Sequence, residues 1–200
     1  MPRFGKFSIR LTMLLAMLLM VALCSLQIPP PAHAGANTIQ IDVPDLELIN
    51  QDGVSGRFIS EIIGDKLTAV TFTYTTCTTI CPVLDAIFKD IQGKIGEQLG
   101  QTIQLITISI DPTTDIPERL KEHSEKLGAK PGWTFLTGDK DKVISVLRGM
   151  EMFSPDIFNH PPAVFIVDGR RGLWSRLNGF PSPKVIKRAL DEYLKDRGES

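Results

Sequence analysis

Cysteine and histidine are scarce in this chain of 200 residues, which contains three of each. Cys24 belongs to an N-terminal apolar segment, so Cys77 and Cys81 are the two cysteines of the remaining chain. A lone close pair excludes the disulfide framework that holds many small exported domains together. Such a pair is more typical of a redox or metal-binding site.

A strong excess of charge of either sign is also missing, because the formal net charge at pH 7 is −1. Arg3, Lys6 and Arg10 supply the basic residues of the N-terminal segment, and the chain after Ala34 carries a net charge near −4. A protein with this balance lacks the basic surface that nucleic-acid binding needs, so no nucleic-acid partner is expected. Internal repeats and low-complexity segments are absent too.

The one long apolar run is N-terminal, and no later run is apolar enough to span a membrane. Three basic residues precede an apolar run from Leu11 to Leu26, followed by three prolines and by Ala32-His33-Ala34. This pattern predicts a signal peptide over residues 1–34, cleaved after Ala34. The alternative is an uncleaved membrane anchor, since residues 11–28 are just long enough to cross a bilayer. A lipoprotein is disfavoured because the residue before Cys24 is Leu23 rather than a small residue.

Both readings of the N-terminal segment predict an exported protein, either periplasmic or anchored to the outer face of the inner membrane. In the anchored case, the membrane contact would be made through the N-terminal segment alone. Residues 35–44 are short and polar, which predicts a linker with little fixed structure. The folded domain is expected over residues 45–200.

The sequence of the domain predicts alternating strands and helices. An Asp52-Gly53 turn between two apolar runs predicts an N-terminal β-hairpin. Further strands and helices follow from apolar alternation and from helical stripes of apolar residues. The strands are expected at 46–50, 54–59, 67–75, 103–110, 133–136, 163–167 and 173–177, and the helices at 83–99, 115–128, 142–149 and 183–194. The third helix is expected to start at the Asp139 and Asp141 charges, and the second at an Asp115 N-cap with Glu118 completing a capping box.

This order predicts a mixed sheet with helices on both faces. A right-handed β-α-β unit makes the first two central strands parallel, and a late hairpin supplies antiparallel partners. The layout is that of a thioredoxin-like α/β domain with an N-terminal β-hairpin extension. The cysteine pair follows the first central strand, at the carboxyl edge of the sheet, where open α/β folds keep their sites.

The Cys77-Thr78-Thr79-Ile80-Cys81-Pro82 segment places two thiols where a strand gives way to a helix. The helix N-terminus stabilises thiolate there. The spacing puts the sulfur atoms about one helical turn apart, so they can form a disulfide when oxidised or bind a soft metal ion when reduced. Two sulfurs alone leave copper or zinc short of ligands, so a third ligand is expected.

Two histidines outside the N-terminal segment are candidates for that ligand. His123 lies in a charged helical stretch and is interpreted as a solvated surface side chain. His160 ends the irregular loop 150–159, directly before Pro161-Pro162 and an apolar strand. The residues alone leave two roles open for His160, a metal ligand or a packing residue beside the prolines. Met150 and Met152 in the same loop are interpreted as packing residues rather than a copper-passing patch.

Three segments together resemble the Sco/SenC family. They are Phe72 to Pro82, Ser109-Ile110-Asp111-Pro112, and His160 before a strand that ends in Asp168-Gly169. The resemblance extends from about Leu46 to Leu194. It implies an exported thioredoxin-like protein that binds copper, as Cu(I) or Cu(II), and assists assembly of the Cu(A) centre of cytochrome c oxidase.

Carried onto this chain, the resemblance implies that Cys77, Cys81 and His160 are the copper ligands. It also places Asp111 near the metal, although an Asp-Pro turn at the end of a strand is an equal alternative for that residue. The implied partner is the copper-bearing oxidase subunit or another copper protein. Two departures are Thr78, where many members have proline, and Pro161-Pro162, which resembles the cis-proline approach of redox thioredoxins.

A thiol–disulfide oxidoreductase is the second hypothesis. In that reading Cys77 attacks and Cys81 resolves, with exported or oxidase-subunit cysteines as substrates. Both activities could coexist, so whether the protein is an enzyme stays open. A thiol peroxidase is disfavoured, because Tyr74 stands where that family has threonine.

Overall fold

The computed structural model describes residues 38–199. The predicted signal peptide or anchor therefore lies outside the described residues. Eight strands within the described range form a single mixed sheet in the order β1-β8-β7-β4-β5-β6-β2-β3. The strands are β1 Thr38–Ile39, β2 Glu47–Asn50, β3 Ser55–Arg57, β4 Leu67–Thr73, β5 Ile103–Ser109, β6 Trp133–Thr137, β7 Ala163–Asp168 and β8 Leu173–Asn178.

The centre of the sheet is parallel and its two sides are antiparallel. Strand β5 pairs in parallel with β4 and β6, whereas β7 pairs with β4 and β8 in the antiparallel sense. Every residue of β4, β5 and β7 is buried, as expected for strands covered on both faces. The thioredoxin-like mixed sheet with flanking helices is therefore confirmed.

Four α-helices cover the sheet in the described part of the chain. They are α1 Cys81–Ile95, α2 Pro117–Leu127, α3 Lys140–Gly149 and α4 Pro183–Arg197. Helices α1, α2 and α4 share one apolar core with one face of the sheet, and α3 packs against the other face. Helices α1, α2 and α4 each have proline in the first turn, where the missing N–H costs no intrahelical hydrogen bond.

The N-terminal hairpin is confirmed, with one change in its second arm. Strands β2 and β3 pair around a turn in which Gly53 has a positive φ of 78°. The predicted strand 54–59 is shorter than expected, because Phe58–Ile63 forms a π-helical turn. The Asp45 carboxylate accepts hydrogen bonds from the backbone N–H groups of Ile59 and Ser60 and so caps this turn.

The prediction that residues 35–44 are an unstructured linker is wrong for the part that the structure describes. Strand β1 pairs with β8 at the edge of the sheet, and Ile39, Ile41 and Val43 pack against the second core. A β-carbon at Gly149 would lie 2.5 Å from the Asp42 carbonyl oxygen, so this segment crosses α3 closely. Apolar residues at every second position, 39, 41 and 43, are the signal that the polar composition obscured.

The remaining boundaries differ from the predictions by a few residues. Helix α1 begins at Cys81 and ends at Ile95, followed by a 3₁₀ turn at Gly96–Gln98. Helix α3 starts beside Asp139 as expected, and the Asp139 side chain caps it by accepting from the N–H groups of Asp141 and Lys142. No helix within residues 38–199 has the length and apolar character needed to cross a bilayer.

Candidate metal centre

The two cysteines lie in the connection between β4 and α1. The Cys77 N–H donates to the Tyr74 carbonyl oxygen at 2.9 Å, which closes a tight turn after the strand. Cys81 is the first residue of α1, and its N–H donates to Cys77 Sγ at 3.3 Å. An N–H at a helix start has no intrahelical acceptor, so the Cys77 sulfur satisfies it. Both thiols are free, as the reduced form requires.

The cysteine pair is chemically asymmetric. Burial raises the pKa of Cys77, but hydrogen bonds from the Cys81 thiol, the Cys81 and Thr79 backbone and Tyr74 outweigh it and bring the pKa to about 7. Burial and the hydrogen bond with Cys77 raise the pKa of Cys81 to about 12. Cys77 is half-buried and Cys81 is buried. Near neutral pH, Cys77 is thus the accessible thiolate and Cys81 the protonated partner.

Tyr74 joins the cysteine turn to the loop that carries His160. Its carbonyl oxygen accepts from the Cys77 N–H at 2.9 Å. The edge of its ring packs against the His160 imidazole, with ring centroids 6.3 Å apart, and against Phe158 at 6.1 Å. Burial, with the hydrogen bond to Cys77 next, raises the pKa of Tyr74 to about 12, so the hydroxyl keeps its proton.

His160 is buried, with 4% of its surface exposed. Its Nδ1 atom is buried and has no hydrogen-bond partner among the described residues. Burial lowers the pKa of His160, which an interaction with the Pro161 backbone partly opposes, so the imidazole is neutral near pH 7. A neutral imidazole with a free nitrogen is the form that binds a metal ion. A cis-proline approach is not observed, since the peptide bonds of the described chain are all trans.

The predicted ligands are brought together in part. The cysteines contact each other, whereas the His160 ring packs against Tyr74. Among residues 38–199, no group of three or more His, Cys, Asp and Glu side chains could hold a metal ion as arranged. The assignment of Cys77, Cys81 and His160 as joint ligands therefore stays a prediction.

Asp111 lies in the turn after β5. Its N–H donates to Ser109 Oγ at 3.0 Å, and its carboxylate accepts from the Thr114 N–H at 3.3 Å. These contacts fit the role of a strand-ending turn, and a role for Asp111 near a metal stays a prediction.

The neighbouring Asp115 supports the cysteine turn, and its role was predicted incorrectly. Helix α2 starts after Ile116, which has no side-chain cap, so Asp115 is not the N-cap. The fully buried Asp115 carboxylate accepts from the Thr75 N–H at 3.1 Å and from the Thr75 and Ser109 hydroxyls at 2.5 and 2.6 Å. It therefore ties the cysteine turn to the end of β5. No sequence pattern links Asp115 to a residue 40 positions away.

The interpretation of His123 as a solvated side chain is wrong. His123 Nε2 lies 3.1 Å from Oδ2 of the buried Asp85 on α1, and the ring packs edge-on against Phe135. Most neighbours of His123 on α2 are exposed, and their sequence does not indicate that the Asp85 carboxylate of α1 lies beside the ring. Met150 and Met152 are buried in the second core, which confirms that they are packing residues.

The sequence profile of the SCO1/SenC family matches residues 37–195. The chain belongs to the SCO1/SenC family. A relative described as a SCO1 protein homolog, from Bacillus subtilis, is 30% identical over 101 residues. That alignment covers 50% of this chain and 51% of the relative, so the chain spans about half the length of that SCO1 homolog.

Solved structures of Sco proteins share the fold of this SCO1/SenC chain. BsSco, described as a Sco-family cytochrome c oxidase assembly protein with a disulfide switch, superposes with a TM-score of 0.65 at 22% identity, covering 79% of this chain and 95% of BsSco. Copper-bound ScoI of Arabidopsis thaliana gives a TM-score of 0.63 at 19% identity, covering 81% and 99%. At these identities the likeness establishes the fold alone.

Proposed function

We propose that this SCO1/SenC protein binds copper as cargo through Cys77, Cys81 and His160, and delivers it to the Cu(A) site of cytochrome c oxidase. The observation that carries the proposal is the buried, unpartnered Nδ1 of His160, whose ring packs against Tyr74, three residues before Cys77. A buried polar atom without a partner costs free energy, typically about 1–3 kcal/mol, and a function that uses the atom accounts for that cost.

The donor set suits copper. Thiolate sulfur is a soft ligand that binds Cu(I), and imidazole nitrogen binds copper as well. Cys77 supplies a thiolate near neutral pH, and a metal ion would displace the proton of Cys81. Binding by all three residues would need His160 to move from its contact with Tyr74 towards the sulfur atoms. Copper could then pass to an acceptor protein by exchange of one ligand at a time.

The oxidation state of the cysteine pair would control copper binding. Oxidation of the two thiols to a disulfide removes two electrons and two protons and leaves no thiolate for the metal. A switch of this kind agrees with the disulfide switch described for BsSco, and copper binding agrees with the copper-bound ScoI of Arabidopsis thaliana. Export to the periplasm or to the outer face of the inner membrane belongs to the same proposal.

Competition titration of the reduced protein with Cu(I) and Cu(II) tests the proposal. One equivalent of copper should bind. His160→Ala should weaken copper binding by about 100-fold, since even mutations beside a metal ligand reduce metal affinity by up to about that factor. His123→Ala is the matched control, because it removes the other histidine of residues 38–199 from a site on α2. Equal affinity in the wild type and in His160→Ala would contradict the assignment of His160.

The asymmetry of the cysteine pair favours a second candidate function, thiol–disulfide exchange. The Cys77 thiolate would attack a substrate disulfide and release one substrate thiolate, and Cys81 would then attack the mixed disulfide. The products are the reduced substrate and a Cys77–Cys81 disulfide. The pKa of about 7 for Cys77 and of about 12 for Cys81 matches an attacking and a resolving cysteine.

Trapping distinguishes the exchange reaction from copper delivery. Cys81→Ser should accumulate a mixed disulfide through Cys77 when a disulfide substrate is added, and Cys77→Ser should not react. Slow exchange by the wild type, together with tight copper binding, would leave copper delivery as the function.

A further inference from the structure

A groove between α1 and α4 is lined entirely by charged side chains and has no part in the proposed copper site. Its volume is about 430 Å³. Its basic residues are Lys94 of α1 and Lys184, Lys187, Arg188 and Lys195 of α4. Two acidic residues of α4, Asp191 and Glu192, complete the lining, so five basic and two acidic residues give a formal net charge of +3. The chain after Ala34 carries a net charge near −4, which makes this basic surface an exception.

The cations of α4 are available to a ligand outside the domain. Lys184, Arg188 and Lys195 are exposed, and within residues 38–199 none of the three makes an ion pair. Their spacing of four and seven residues places them on one face of α4, over a length of about 16 Å. The acidic residue on that face, Asp191, is ion-paired with Lys187. Helix α4 therefore presents a stripe of three unpaired cations.

The groove lacks the apolar side chains that are typical of a protein interface. The large apolar side chains exposed in the described chain all lie outside it: Val54, Val83, Ile116, Phe158 and Phe180. The cores of protein interfaces are enriched in aromatic residues and depleted in lysine, whereas the headgroups of an anionic bilayer attract lysine and arginine by charge alone. The composition of the groove thus favours a membrane surface over an acidic protein.

The chain enters the described domain beside α4. Thr38 of β1 pairs with Ser175 of β8, and the Ser175 hydroxyl is hydrogen-bonded with Tyr193 of α4. In the anchored form of the protein, residues 29–37 would connect the membrane segment to Thr38, and so short a connection spans at most about 35 Å when extended. A bilayer would then lie within reach of α4.

We propose that α4 and the end of α1 form a docking surface for an anionic phospholipid bilayer, with Lys184, Arg188 and Lys195 facing the headgroup phosphates. Each cation near such a surface raises the affinity about fivefold, and salt screens the attraction within about 10 Å at 0.1 M. This inference goes beyond the proposed copper delivery and does not depend on it, because the docking residues lie outside the cysteine turn and the histidine loop.

Lysine footprinting of the full chain on vesicles tests the proposal. The vesicles contain phosphatidylcholine alone or phosphatidylcholine with phosphatidylglycerol, and mass spectrometry locates the lysines that an acetylating reagent labels. Lys184 and Lys195 should react about fivefold more slowly on the anionic vesicles, because the headgroups cover them. NaCl at about 1 M, where the Debye length is about 3 Å, should remove this protection. The N-terminal segment is the same in every sample, so the difference between vesicles reports on the surface of the domain.

Lys140 is the internal control for the footprint. It is exposed at the start of α3, which packs against the other face of the sheet, and it makes no ion pair within residues 38–199. Its rate should be equal on the two kinds of vesicle, because α3 would face away from the bilayer. Equal protection of Lys140 and Lys184 would show unspecific adsorption and overturn the assignment of the surface.

Two charge reversals complete the test. Arg188→Glu changes the middle cation of the stripe, and Lys140→Glu is the matched control with the same change in net charge. Arg188→Glu should lose most of the protection of Lys184 and Lys195, whereas Lys140→Glu should keep it, with circular dichroism as the check that both are folded. Equal protection in the two variants would overturn the proposal, and so would wild-type rates at Lys184 that do not depend on the lipid. Loss of copper binding would refute the proposed function and leave these outcomes unchanged.

Discussion

A buried polar side chain lies at or near each end of β7, and the two side chains differ in their partners. At the far end, Asp168 is fully buried and its carboxylate accepts from the Arg171 N–H and from Arg197 Nε, both at 3.1 Å. At the near end, three residues before the strand, His160 is buried and its Nδ1 has no partner among the described residues. Asp168 Oδ2 also has no hydrogen-bond partner among the described residues, but Arg171 Nε lies 3.6 Å from it and Arg197 pairs with Oδ1. The carboxylate at one end of β7 is therefore paired with two arginines, whereas the nitrogen at the other end has no charged or hydrogen-bonding partner.

The comparison distinguishes a buried polar group that stabilises the fold from one that is available for chemistry. Arg197 is the last residue of α4, and its side chain also donates to the Asp65 carbonyl oxygen, so Asp168 anchors the C-terminal helix to the sheet. His160 anchors nothing through Nδ1. We expect mutations at the Asp168 end to change the free energy of unfolding, and mutations at the His160 end to change chemistry.

The largest effect on stability is expected for Arg197→Met. This change leaves the Asp168 carboxylate buried without its main partner, and breaking a buried ion pair costs about 3–5 kcal/mol. Urea unfolding should show this loss in the reduced protein. Lys195→Met, an exposed position in the same helix, should cost less than about 0.5 kcal/mol. Similar losses in both variants would contradict the comparison.

A smaller effect is expected when the pH is changed, and it concerns the reactivity of Cys77 in the cysteine turn. The thiolate of Cys77 forms as the pH rises, and its pKa is about 7, so its alkylation rate should rise about tenfold per unit below pH 6 and level off above pH 8. Cys81, with a pKa of about 12, should stay unmodified over this range. Mass spectrometry after timed alkylation locates the label. A midpoint near the ordinary cysteine value of about 8.5 would show that the turn does not stabilise the thiolate.

The smallest effect on stability is expected for His160→Phe. Phenylalanine keeps a ring against Tyr74 and removes the unpartnered nitrogen, so the free energy of unfolding should change by less than about 1 kcal/mol or increase. Denaturant unfolding beside Arg197→Met measures the contrast directly. A loss as large as that of Arg197→Met would show that His160 is a structural residue, and the two ends of β7 would then be alike.

Most of the fold follows from local patterns. The runs that became β4 and β5 combine apolar residues with threonine, which is typical of strands. The turn at Gly53 has a clear signature, and α3 starts beside Asp139, as the charges at 139 and 141 predict. Two errors have different causes. Residues 38–44 look polar but place every second side chain on the core. The predicted strand 54–59 extends too far, because Phe58 and Ile59 belong to a π-helical turn in which the Ile59 N–H donates to Asp45, 14 residues earlier.

In the candidate site too, some features follow from the local sequence and others do not. The positions of Cys77 and Cys81 beside a helix start follow from the sequence alone, because strand, cysteines and helix are contiguous. The partners of His123 and Asp115 do not follow, since Asp85 lies 38 residues before His123 and Thr75 lies 40 residues before Asp115.

By itself, the sequence determined the SCO1/SenC likeness, the mixed sheet and the pair of thiols at the start of α1, because these depend on neighbours in the chain. Only the tertiary structure decided that Cys77 and Cys81 differ in acidity, that Tyr74 contacts both Cys77 and His160, and that His160 lies buried without a partner for Nδ1. Burial and hydrogen bonding are set by segments that meet in space, and a polar group's pKa and availability follow from those contacts.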